Sequence, residues 1–146
     1  MSATFGRVGF TRHTRIHGFA AHLREGRLMG SRCDACGHVE FPPRADCPTC
    51  LEDGFTFVER KNRGTVVTYT RIDAAPAGFE DLAPYVLGVV DLEEGGRLLA
   101  WFGESLPEEA LRIGLEVLVS PREIVLGDEV RVDYTLERLP GGKETP

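Results

Sequence analysis

Four cysteines in two close pairs constrain this chain more than any other feature. They read Cys33-Asp34-Ala35-Cys36 and Cys47-Pro48-Thr49-Cys50, a C-x2-C-x10-C-x2-C spacing. A two-residue gap lets both thiolates of a pair turn onto one tetrahedral metal ion. Gly37 follows the first pair, where a tight knuckle wants a residue free of steric restriction, and Pro48 stiffens the second. Two other readings compete. Disulfides need an oxidising compartment, and nothing here marks export. A thioredoxin-type redox motif would be one C-x-x-C beside a βαβ pattern. Zinc is therefore expected, with iron in a rubredoxin-like site as the other metal suited to four sulfurs. Four thiolates close the shell, whereas a catalytic zinc keeps a position for water or substrate. The expected role of Cys33, Cys36, Cys47 and Cys50 is to hold a structural Zn²⁺.

The rest of the chain divides around this module. HTRIHGFAAHLREGR (13–27) places Ile16, Phe19, Ala20 and Leu23 at helical spacing, with Gly26 as a stop, so residues 1–27 are expected to be an N-terminal helical segment. Residues 28–60 read as the ribbon, with short strands at 28–32, 39–41 and 55–59 and a stop at Pro42-Pro43. From residue 61 to 139 the pattern is all-β. GTVVTYTRI (64–72) is Thr- and Val-rich, and YVLGVVDL (85–92) with RLLAWF (97–102) reads as a hairpin across the Gly95-Gly96 turn. PEEAL (107–111) is a short helical turn, EVLVS (116–120) a fourth strand, and VRVDYTLERL (130–139) a fifth, alternating with period 2. Five strands with one helical element between the third and fourth predict a five-stranded OB-fold barrel. Gly88 inside the second strand fits the bend or bulge that a small barrel needs. The predicted class is mainly β: helix, rubredoxin-like ribbon, barrel, then a flexible tail at 140–146.

Composition narrows the function. The net charge is −6, but residues 1–64 hold 10 Lys+Arg against 7 Asp+Glu, and residues 65–146 hold 7 against 16. A barrel region at −9 argues against a general nucleic-acid binder, whose affinity rests on phosphate contacts. No apolar run approaches the roughly 18 residues of a membrane span, and the first residues lack the apolar core of a secretory signal, so a cytoplasmic location is expected. With the cysteines committed to metal, no thiol nucleophile remains. There is no P-loop, dinucleotide fingerprint, nucleophile elbow or H-E-x-x-H. His13 and His17, four apart, have a spacing that suits a second metal, though solvated histidines are the commoner case; His38 lies beside the knuckle, where it could bond a thiolate. Arg44, Arg60, Lys61 and Arg63 flank the ribbon and have the chemistry to pair with phosphate. Ile16, Phe19 and Leu23, with Phe5 and Phe10 before them, lie on a segment with little core of its own, which points to a partner interface or to a cover over the barrel.

The run LREGRLMGSRCDACGHVEFPPRADCPTC (23–50) resembles the DUF35 proteins. The shared pattern is a leading helix, Gly26 to Leu28, Cys33 to Gly37, Phe41-Pro42-Pro43-Arg44, and Cys47 to Cys50. Downstream, Gly64-Thr65-Val66, Pro84-Tyr85-Val86, the Gly95-Gly96 turn and Arg112-Ile113-Gly114 resemble the family's barrel segments. The likeness covers about residues 15–137. It departs from the pattern at Leu51, where a glycine would follow the second pair. The resemblance implies a small non-catalytic subunit of a thiolase-like acyl-CoA enzyme: a thiolase, a ketosynthase-like acyltransferase or a thiolase-fold aldolase, in some cases joined to MaoC-like hydratases. It implies that the partner supplies the reactive cysteine and histidine, that a two-plus-two hetero-oligomer is common, and that the small subunit stabilises the larger one and helps hold CoA, for which Arg44 and Arg63 are the candidate contacts. Two other readings are a single-stranded nucleic-acid-binding ribbon/OB module, for which Tyr69, Tyr85, Trp101 and Phe102 would be the stacking aromatics, and a stand-alone acyl-CoA carrier.

Overall fold

In the computed structural model, residues 4–7 and 13–141 are described. Strand β1 (Thr4–Phe5) precedes the helix α1 (Gly18–Arg24). A ribbon follows, made of β2 (Met29–Cys33), β3 (Val39–Glu40) and β4 (Phe55–Glu59). The barrel consists of β5 (Arg63–Ile72), β6 (Tyr85–Leu92), β7 (Arg97–Phe102), a 3₁₀ turn (Glu108–Ala110), β8 (Glu116–Leu126) and β9 (Glu129–Glu137).

The ribbon is a small antiparallel sheet with β2 in the middle, β3 on one side and β4 on the other. The barrel closes in the order β5-β6-β7-β9-β8 and back to β5, and its β7–β9 pairing is parallel. That order, with the helical turn between its third and fourth strands, is the OB-fold. β1 adds in parallel to the stretch of β9 just before the β7 contact. Inward positions are packed solid: Val66, Val90, Val117, Val119, Val132 and Leu136 are at most 1% exposed. The β-branched side chains suit a pleated, close-packed interior.

The register irregularity that bends the barrel lies in β5, between Val66 and Thr68, rather than at Gly88. Gly88 serves a different need. A Cβ there would sit 2.6 Å from the Phe102 ring, so the missing side chain is the space that Phe102 occupies. β8 also runs on through Pro121 to Leu126 and pairs with β9 along that whole length. Pro121 is tolerated because β5 pairs with β8 only as far as Leu118, which leaves the far edge open.

α1 is shorter than the apolar spacing predicts: residues 13–17 form turns, and helix runs from Gly18 only. It ends at Gly26, whose φ is +80°. α1 wedges between ribbon and barrel. Phe19, Ala20 and Leu23 are buried, and the Phe19 ring meets Phe5, Phe41 and Tyr134 at centroid distances of 5.6, 6.2 and 6.4 Å. This corrects the interface expectation for Phe19 and Leu23, which are spent on the chain's own core. Ile16 is half-buried, and Phe10 lies outside the described residues. Burial of Tyr134 in this cluster, with Asp133 beside it, pushes its phenol up to about 12. The tail expectation for 140–146 likewise falls mostly outside the described residues.

The β6–β7 turn locks the ribbon from the other side. The Arg60 guanidinium donates to the Glu94 and Gly95 carbonyls, and the Lys61 N–H donates to the Glu94 carboxylate at 2.6 Å. Gly96 has a φ of +104°, and a Cβ there would fall 2.8 Å from Phe41 Cβ. Only glycine permits both that conformation and that approach. Among the described residues, no helix is long and apolar enough to cross a membrane.

Candidate metal centre

The four cysteines arrive from two knuckles at one end of the ribbon. Cys33 is the last residue of β2 and Cys36 lies in the turn after it; Cys47 and Cys50 come from the loop between β3 and β4. In each knuckle the residue after the second cysteine donates its N–H back to the carbonyl of the first. Gly37 bonds Cys33 at 2.9 Å and Leu51 bonds Cys47 at 3.0 Å. The knuckles are also tied to the strands: the Cys33 N–H reaches the His38 carbonyl, Asp34 reaches Gly54, and Cys47 reaches Glu52.

The two post-cysteine residues share a backbone conformation. Gly37 has φ +79° and Leu51 has φ +68°. Glycine adopts that region freely, while a residue with a Cβ pays roughly 1–2 kcal/mol for it. Leu51 is the one non-glycine residue with positive φ among the described residues, and it is 81% exposed. Knuckle geometry, rather than any packing of its side chain, holds it there.

The sulfurs converge. All four Sγ atoms lie within 4.8 Å of one another, with Cys33–Cys50 at 3.5 Å and Cys36–Cys47 at 3.6 Å. A tetrahedral zinc with bonds near 2.3 Å requires Sγ–Sγ separations of about 3.8 Å. The arrangement fits the ion and is far from the S–S bond length of about 2.05 Å. Cys33 and Cys47 face inward and Cys36 and Cys50 outward, so the metal would close the ribbon's end with all four positions filled. Backbone N–H groups of Cys50 and Thr49 draw the Cys47 thiol down to about 6. Cys50 receives an N–H from Glu52, but desolvation and the neighbouring sulfurs of Cys33, Cys36 and Cys47 push it up to about 12. Such crowding disfavours a metal-free tetrathiolate and is relieved by a divalent cation.

Other expected site residues are placed differently. His38 bonds Glu40 through Nε2 at 2.7 Å rather than a thiolate. The His17 ring nitrogen Nδ1 lies 2.9 Å from the Thr14 carbonyl, and the cysteine cluster is the metal-ligating group among the described residues. Arg44 is exposed, with its backbone N–H on the Ser31 hydroxyl. Arg63 is exposed at the start of β5, where its carbonyl accepts from Glu93. Neither guanidinium has an ion-pair partner among the described residues, while eight other arginines do: Arg15, Arg24, Arg27, Arg60, Arg71, Arg97, Arg122 and Arg131. The aromatics Tyr69, Tyr85, Trp101 and Phe102 do not form one stacking surface. Tyr69 and Phe102 pair edge-on toward the barrel interior, and Tyr85 stacks on Trp101 at 4.3 Å outside it.

Comparison with known proteins agrees with this architecture. A family model described as the ChsH2 rubredoxin-like zinc ribbon domain matches residues 20–56, and one described as the ChsH2 C-terminal OB-fold domain matches residues 57–121. The chain is 39% identical over 122 residues to a DUF35 domain-containing scaffold protein of Methanocaldococcus jannaschii, covering 82% of this chain and 86% of that protein. It is 34% identical over 73 residues to the benzoylsuccinyl-CoA thiolase subunit BbsA of Thauera aromatica, covering 50% of this chain and 49% of that one. Among solved structures, a chain of the Ltp2-ChsH2(DUF35) aldolase superposes with a TM-score of 0.69 at 24% identity, over 87% of this chain and 97% of that chain, a likeness of fold. With its four-cysteine zinc ribbon and closed OB barrel, the chain belongs to the DUF35 family.

Proposed function

We propose that this chain is the non-catalytic, zinc-containing subunit of a thiolase-like acyl-CoA enzyme, which it stabilises as part of a hetero-oligomer. The observation that carries the reading is the closed metal shell. Four thiolates occupy every tetrahedral position, so the ion serves the ribbon's fold and offers no site to a substrate. Two further features support it. The barrel interior is filled by Val66, Val90, Val117, Val119, Val132 and Leu136, which argues against a stand-alone carrier that would hold an acyl chain inside the barrel. One relative is a subunit of a benzoylsuccinyl-CoA thiolase, and the solved chain of like fold is one component of a two-component aldolase.

In this reading Arg44 and Arg63, exposed and without ion-pair partners among the described residues, are free to take CoA phosphates. The reading is tested by purifying the tagged chain from its native cells and measuring thiolase, acyltransferase and aldolase activity of what accompanies it. A stoichiometric thiolase-like protein whose activity or thermal stability falls when this chain is removed is the expected result. A zinc-loaded, folded chain that recovers no such protein would sink it.

A further inference from the structure

The barrel wall is not uniform on its outside. An antiparallel strand with one face in the core is expected to turn polar residues outward. β5 does so with Thr65, Thr68 and Thr70, and β9 does so with Arg131 and Asp133. The β6–β7 hairpin does not. Its core-facing residues include Gly88, Val90, Leu92, Leu98 and Ala100, so Tyr85, Leu87, Val89, Leu99 and Trp101 point outward. The register sets Leu87 beside Trp101 and Val89 beside Leu99 on that outer face. Tyr85 stacks on Trp101, and Phe79 from the β5–β6 loop approaches the indole at 5.8 Å. The result is a contiguous apolar and aromatic face, on which Leu99 is 59% exposed. Aromatic centres of this kind are what protein interfaces bury.

The charges around the face indicate what covers it. At one end Asp91 and Arg97 neutralise each other through two hydrogen bonds of 2.6 and 2.9 Å. At the β8–β9 side Arg122 lies 5.9 Å from the Trp101 ring and is held by Asp133 at 2.7 Å. At the loop that carries Phe79, Glu80 bonds only the Gly78 N–H, and neither Glu80 nor Asp81 has a cation among the described residues. On the N-terminal side Arg7 lines the same face with Phe79, Leu99 and Trp101 and sets one cation against these two carboxylates, so the rim keeps a small acidic excess, of the same sign as the −9 balance of residues 65–146. A second copy would bring like charges together across the contact. A partner with a basic rim would gain both attraction and a faster encounter.

We propose that the outer face of the β6–β7 hairpin is where the catalytic subunit docks, through a surface that is apolar at its centre and basic at its rim; this rests on the subunit reading given above. The sequence contains one tryptophan, Trp101, and it lies on this face. The chain labelled with 5-fluorotryptophan therefore reports docking through a single ¹⁹F resonance, whatever tryptophans the partner holds. The probe is the thiolase-like protein that co-purifies with the tagged chain, identified by mass spectrometry and purified separately.

The resonance is expected to shift on mixing. Leu99→Glu is expected to weaken the complex by about 100-fold, the loss of a central contact, while Ile113→Glu, at a 71% exposed position before β8, changes it less than about twofold. Because Leu99 is mostly exposed, the variant keeps its circular dichroism and its metal. Glu80→Lys with Asp81→Lys is expected to slow association several-fold at low salt and not at high salt. A complex that forms with an unmoved resonance and an unaffected Leu99→Glu variant overturns the docking face but leaves the subunit reading standing. Failure of the unaltered chain to bind the thiolase-like protein removes both. Self-association of the isolated chain that Leu99→Glu abolishes would make a second copy the occupant, and overturns the proposal.

Discussion

The ribbon and the barrel solve the same problem by different means. The barrel closes five strands around a dry interior in which six aliphatic side chains are almost wholly buried. Leucine or valine burial of that kind contributes roughly 1.5–3 kcal/mol per side chain. The ribbon spans residues 29–59, below the roughly 40 residues that a core alone can hold together. Its strand β3 is two residues long, and its Phe55 and Phe57 rings, which pair at 5.2 Å, are only half-buried. Its buried Met29 and Phe41 join the core shared with α1 and the barrel, and at the knuckle end the cysteine cluster takes the place of a core. Cohesion in the barrel is spread over many side chains, and in the ribbon it is concentrated in one ion.

That contrast predicts very different responses to metal removal. Chelation, or Cys47→Ser, is expected to cost the ribbon on the order of 10 kcal/mol, the scale of structural zinc sites. Amide exchange followed by NMR should then show β2, β3 and β4 losing protection while β5 to β9 keep most of theirs. Uniform loss across both regions would mean that they fold as one unit, and unchanged protection would deny the metal a structural role. Protons can replace the chelator. Cys36 and Cys50 are raised above the usual thiol value, so both are protonated at neutral pH and must release protons when the ion binds. Apparent zinc affinity should therefore fall as pH falls, by about tenfold per proton and so about 100-fold per pH unit for these two. The fall steepens below about 6, where Cys47 also takes a proton. A competition titration with a chromophoric chelator between pH 6 and 8 measures this slope.

The reverse perturbation is Leu136→Ala. Leu136 is 0% exposed at the centre of the barrel, so truncation should cost about 2–5 kcal/mol. The barrel's thermal transition should drop while metal content stays at one ion per chain. Loss of metal together with the barrel would show that the ribbon depends on its neighbour more than the ion compensates.

The two regions also differed in how much their sequences disclosed. The cysteine spacing identified the ribbon and its ligands because coordination chemistry permits few alternatives at C-x2-C spacing. The barrel strands at 85–92 and 97–102 were legible from their composition and from the Gly95-Gly96 turn. The EVLVS pattern marks β8 only over residues 116–120, whereas the strand runs to Leu126. It continues because Pro121 lies where β8 no longer pairs with β5. The direction of Phe19 and Leu23 was hidden for a similar reason. Periodicity gives a face but not what the face meets, and here it meets Phe5, Phe41 and Tyr134. The outward apolar face of β6–β7 shows in the sequence only as the largely apolar run YVLGVVDL, which reads the same for a strand buried on both sides.

Gly96→Ala probes the seam between the regions. The added methyl must occupy a φ of +104° and approaches Phe41 Cβ to 2.8 Å, a contact that backbone or ring must relieve. A cost of about 1–3 kcal/mol is expected from strain and overpacking together. Its signature is the splitting of one thermal transition into two, ribbon and barrel, with the metal retained. A single transition shifted as a whole would place the cost inside the barrel rather than at the seam.

The smallest effect has the opposite sign. Leu51 holds φ +68° at the position where the other knuckle has Gly37, and its side chain is 81% exposed. Leu51→Gly should remove the left-handed strain at little cost in packing. The gain is partly offset by the greater freedom of glycine in the unfolded chain, which leaves a net stabilisation of up to about 1 kcal/mol. Because the gain is confined to the metal knuckle, it should raise the ribbon's resistance to chelator and leave the barrel's transition unmoved. A destabilised ribbon would mean that the leucine side chain makes a contact on the knuckle surface that outweighs its backbone strain.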